Sequence, residues 1–127
     1  MVFVNRNKVA LTYGFDEKEK EKIEGIAREN HLHKVREIEA PMAGMKVADI
    51  LAGKLPAVPK AGMPEEKVIL FNDMSDEEID KYIDQLRREF KPLPILAVIT
   101  ETSEKWTFDY LVEHLVEERE KFRASTK

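Results

Sequence analysis

Lys67-Val68-Ile69-Leu70-Phe71-Asn72-Asp73-Met74-Ser75-Asp76-Glu77-Glu78 carries a strand, a turn and a helix start in succession. The apolar run from Lys67 to Phe71 is too short for a helix and nearly continuous, which predicts a strand buried on both faces. Asn72 and Asp73 are turn residues. Ser75-Asp76-Glu77-Glu78 is a capping box, so a helix begins there. Ile79, Tyr82, Ile83, Leu86 and Phe90 continue at helical spacing until Pro92 and Pro94 stop it. Ile95 to Thr100 reads as a further apolar, β-branched strand. Thr107 to about Phe122 predicts a last helix with Tyr110, Leu111, Leu115 and Phe122 inward, and Arg123 to Lys127 is expected to fray.

The same order stands upstream. Lys8 to Tyr13 predicts a strand followed by Gly14, and Asp16-Glu17-Lys18-Glu19 a capped helix start. Ile23, Ile26 and Ala27 form its apolar stripe, and the helix runs to about Asn30. Lys34 to Ala40 is a second strand whose charges, Lys34, Arg36, Glu37 and Glu39, suit a sheet edge. Met45 to Gly53 is a short helix with Val47, Ile50 and Leu51 on one side.

The two halves align at an offset of about sixty residues. Lys46 to Leu51 falls on Trp106 to Leu111, Leu55 on Leu115, Ile23 on Ile83, Ile26 on Leu86 and Val35 on Ile95. Lys8 to Leu11 falls on Lys67 to Leu70 at one residue less. The expectation is an internally duplicated β-α-β-α unit in an α/β fold. The four-stranded sheet should be mainly parallel, in order 2-1-3-4, with helices on both faces. An alternative packs the halves about a pseudo-twofold, making the central strands antiparallel. Residues 1–127 form one domain of two repeats, 7–54 and 66–122, joined by a Pro/Gly linker, 55–65.

Composition narrows the function classes. The 127 residues include no Cys, which excludes a disulfide framework and a thiol nucleophile. Net charge is −4 with 36% charged residues, so there is no basic footprint for nucleic acid. No apolar run is long enough for a membrane span. A cytoplasmic protein is expected. Neither leading strand is followed by a Gly-rich phosphate loop, and no Gly-x-Ser-x-Gly occurs, so no cofactor is expected.

The second half resembles the bacterial domain-of-unknown-function family 3783. The resemblance rests on Val68-Ile69-Leu70-Phe71-Asn72, Ser75-Asp76-Glu77-Glu78, Leu93-Pro94-Ile95, Thr100-Glu101-Thr102, Trp106-Thr107 and Leu111, and covers about residues 66–122. It implies a small α/β module and no particular activity. The first half departs from it: Ala40-Pro41-Met42 stands in place of Thr100-Glu101-Thr102, and Lys46 in place of Trp106.

Two surfaces emerge as candidates. Ligands in open parallel sheets sit beyond the carboxyl ends of strands. Asn72, Asp73, Thr100, Glu101, Thr102 and Trp106 therefore form a candidate ligand rim. Its carboxylates and hydroxyls suit a cation, a bound water or acid–base work, including hydrolysis. The bland alternatives are turn and cap duties for the polar residues and closure of a core edge by Trp106. Met42, Met45, Leu55, Val58 and Met63 form a candidate apolar patch for a protein partner or homodimer. His31 and His33 lack a third ligand, and His114 is the only other His, so no metal site is expected. The leading expectation is a non-enzymatic interaction or regulatory module; the other is a small-ligand or cation-binding domain.

Overall fold

The computed structural model describes residues 8–30, 34–56 and 65–125. They fall into two compact units, one of Met1–Glu37 with Glu66–Ile99, the other of Ile38–Glu65 with Thr100–Lys127. This division crosses the sequential repeats, since each unit takes a piece from either half.

The sheet unit contains β1 (Val9–Tyr13), α1 (Glu17–Glu29), β2 (Val35–Glu37), β3 (Val68–Asn72), α3 (Asp76–Glu89) and β4 (Ile95–Val98). The strand order is β2-β1-β3-β4, as expected. β1 with β2 and β3 with β4 are parallel, whereas the central pair is antiparallel, with Leu11 opposite Leu70. The sheet is thus mainly parallel, and its centre follows the pseudo-twofold alternative. Parallel crossovers are right-handed. With an antiparallel centre, two such crossovers bring their helices to the same face. One core shows this directly: Ile23, Ile26 and Ala27 of α1 and Ile79, Tyr82 and Leu86 of α3 pack on Ala10, Ile69 and Phe71. Phe71 and Tyr82 meet edge to face at 5.3 Å, and Phe15 and Phe90 at 5.7 Å. The Tyr82 hydroxyl donates to the Ile23 carbonyl at 3.4 Å, and burial raises its pKa.

Both capping boxes form. The Glu19 amide donates to Asp16 Oδ1 at 2.8 Å, and the Asp16 amide to Glu19 Oε1 at 3.0 Å. Ser75 and Glu78 repeat the arrangement in α3. All of β3 is buried, as its continuous apolar run predicts. β2 spans three residues rather than Lys34 to Ala40, and it lies at the charged sheet edge. β4 likewise stops at Val98, short of Thr100.

The second unit contains α2 (Val47–Leu51), α4 (Phe108–Ser125) and two 3-10 turns, Ala40–Met42 and Ser103–Lys105. Its two helix starts are tied together. The Val47 amide donates to the Trp106 carbonyl at 2.9 Å, while Phe108 and Asp109 amides donate to Met45 and Ala43 carbonyls at 2.9 Å each. Lys46 and Thr107 form an antiparallel bridge. The first amides of α4, which have no partner inside their own helix, are satisfied in this way. Val47, Ile50, Leu51, Phe108, Leu111 and Val112 are buried. Tyr110 and Phe122, expected inward, are 52% and 69% exposed. Helix geometry explains Tyr110: it lies about 200° around α4 from Phe108, opposite the stripe of Phe108, Leu111 and Val112. Phe122 sits in final turns that are exposed almost throughout.

Candidate functional site

The six rim residues divide between the units. Asn72 ends β3 and is buried; Asp73 follows it, exposed, with φ 56°. Gly14, after β1, has φ 88°. Asp73 therefore fills the left-handed position of a strand-to-helix turn, a conformation that Asp tolerates better than most residues. β3 and β4 are neighbours, as the rim requires, and the Ile99 amide donates to the Phe71 carbonyl at 2.9 Å.

Thr100, Glu101, Thr102 and Trp106 belong to the second unit. The Thr100 amide donates to Ser103 Oγ at 2.9 Å, and the Ser103 amide donates to Thr100 Oγ1 at 3.1 Å. This reciprocal pair closes the turn ahead of α4, so Thr100 has a structural duty. Glu101 and Thr102 are exposed, and Glu101 makes no ion pair among the described residues.

Trp106 is half-buried, and its described ring partners lie on α4. It meets the Tyr110 ring edge to face at 5.0 Å and the His114 ring at 5.2 Å. Trp106 precedes α4 in extended backbone, and its ring reaches both Tyr110 and His114, which lie one turn apart on the helix, so the three form an aromatic ledge. His114 Nε2 lies 3.0 Å from Glu118 Oε1, one turn further on. Thr107 Oγ1 donates to Asp109 Oδ1, which also accepts the Tyr110 amide at 2.8 Å. That carboxylate therefore helps to cap α4 below the ledge. The sequence carried only the Tyr110–His114 part of this signal, as an i, i+4 pair, and assigning Tyr110 to the core concealed it.

Of the candidate partner patch, Met42 and Met45 are half-buried and Leu55 is 88% exposed. The Met42 sulfur accepts the Glu39 amide at 3.4 Å. Val58 and Met63 lie outside the described residues, as do His31 and His33. No group of three metal-ligating side chains occurs among the described residues.

The sheet unit holds a cavity of about 190 Å³ that sequence reasoning missed, lined by Thr12, Lys20, Ile23, Glu24, Val35 and Glu37. It lies beside the β1–β2 pair and α1. Lys20 is paired with Glu37, and the hydrogen bond to that carboxylate raises its pKa. The charges lining the cavity are thus partly matched within the protein itself.

The β3-α3-β4 crossover, followed by the Thr100–Ser103 turn and the Trp106–Thr107 helix start, is the region that the sequence resemblance covered. Residues 67–122 match the model of the domain of unknown function DUF3783. No curated protein and no solved structure matches the chain. The DUF3783 match takes in all six rim positions within one strand–helix–strand–helix succession and all three ledge residues. It leaves β1, α1, β2 and α2 outside. No helix among the described residues is long and apolar enough to cross a membrane.

Proposed function

We propose that the protein is a non-enzymatic interaction module of the cytoplasm, with its contact surface on the Trp106–Tyr110–His114 ledge. The observation that carries this reading is Tyr110, a large aromatic side chain 52% exposed and seated against Trp106. Aromatic residues held rigidly at a surface supply contact area at low entropic cost, which is why they anchor interfaces. Leu55 adds exposed apolar surface in the same unit, so the Met-containing loop remains a second contact element. The test is selection of binders from an unbiased displayed peptide library. Binders should lose affinity for Tyr110→Ala, and binding indifferent to that change would sink the reading.

A small-ligand or cation-binding role is favoured by one feature, the exposed Glu101 carboxylate without an ion pair among the described residues. A divalent cation that raises the melting temperature of the parent and not of Glu101→Gln would support it. Equal shifts in both proteins would count against it.

A further inference from the structure

Resting on the interaction reading above, we infer that the aromatic ledge of α4 receives a cationic segment of a partner protein, with arginine or lysine side chains as its anchors. The charge around the ledge selects this occupant. From Thr100 to Glu118 the chain carries Glu101, Glu104, Asp109, Glu113, Glu117 and Glu118 against Lys105, with the exposed Lys46, bridged to Thr107, as a second cation at the helix start. Glu113 and Glu117 lie three and seven residues after Tyr110, so they share its face of the helix. Both are exposed and make no ion pair among the described residues. An anionic or purely apolar partner would cover these carboxylates without replacing their hydration. A guanidinium instead finds a ring face on Tyr110 or Trp106 and a carboxylate one turn away. Beyond Glu118 the acidic run ends, and Arg119, Lys121 and Arg123 follow with Glu120.

Trp106 is the only tryptophan, so its emission reports contact with the ledge directly. The probes are blocked helical peptides of equal length: an arginine–leucine peptide, its glutamate counterpart and a neutral serine–leucine version. The arginine peptide should shift Trp106 emission in a saturable manner, and the other two should not. Glu113→Gln with Glu117→Gln should weaken binding about tenfold, from two charge-assisted contacts. Asp80→Asn with Asp84→Asn, which removes equal charge from the exposed face of α3, should change it less than about twofold. Equal weakening by the two double variants would reduce the effect to long-range attraction and overturn the proposal. A neutral peptide that binds the ledge best would also overturn it, while leaving the interaction reading standing. So would Tyr110-dependent self-association in sedimentation without peptide binding, because the occupant is then a second copy. If no peptide shifts Trp106 and no library binder depends on Tyr110, both readings fall.

Discussion

Gly14 and Asp73 occupy corresponding turns with φ of 88° and 56°, yet they answer different constraints. A Cβ on Gly14 would lie 2.2 Å from the Glu66 carbonyl oxygen, a backbone atom that cannot swing aside. Gly14→Ala is therefore expected to destabilise the protein by more than about 1 kcal/mol, read as a lower urea midpoint. Asp73 is exposed, and its left-handed backbone is the main local cost. Asp73→Gly should raise stability by roughly 0.5–1 kcal/mol, and a loss instead would point to an undetected interaction of the carboxylate. The sequence marked both positions as turns through residue type alone. It could not show the approach of Glu66, which depends on segments far apart in the chain. Tyr110 makes the same point on a helix: a shift of one residue turns a side chain by about 100°, enough to exchange core for surface.

At the scale of elements, the capping boxes link the two crossovers. Glu78 accepts the Ser75 amide and is paired with Lys8 at the start of β1 at 2.7 Å. Glu19 accepts the Asp16 amide and is paired with Lys67 at the start of β3. The offset that aligns Lys8 with Lys67 also aligns Glu19 with Glu78, so each helix start is joined to the leading strand of the other crossover. Ser75→Ala should cost about 1 kcal/mol, measured by thermal or urea unfolding. The Lys8 ammonium, with help from the Ser75 amide, holds the Glu78 carboxyl below its ordinary 4.5. A lowered folded-state pKa means that ionisation favours folding, with the contribution complete above the ordinary value and lost as pH falls through the folded one. The stability difference between parent and Glu78→Gln should therefore shrink on acidification below that range. A difference that stays constant with pH would show that the charge contributes nothing. Both capping boxes were legible because they are local patterns; their Lys partners were not, because the ion pairs cross between distant segments.

Across the whole molecule, β1 and β3 lie at the centre of the sheet and are buried along nearly their full length, while β2 and β4 form its edges. Their amides should be the last to exchange with solvent, and earlier exchange in β3 than in β2 would contradict this core. Leu86→Ala, at a fully buried position between α3 and the sheet, should cost about 2–5 kcal/mol in urea unfolding. The sequence by itself determined the four strands, the helix starts, the charged edge and the order 2-1-3-4. These follow from apolar periodicity, capping side chains and right-handed crossovers, all of which act over a turn or a single crossover. Tertiary structure alone decided the direction of the central pair. An apolar strand buried on both faces offers equivalent side chains to a parallel or an antiparallel neighbour, so pairing Leu11 with Leu70 leaves no local trace. It also decided which unit each rim residue joins and that Tyr110 faces outward, because burial is set by what packs against a helix and not by the apolar character of one side chain.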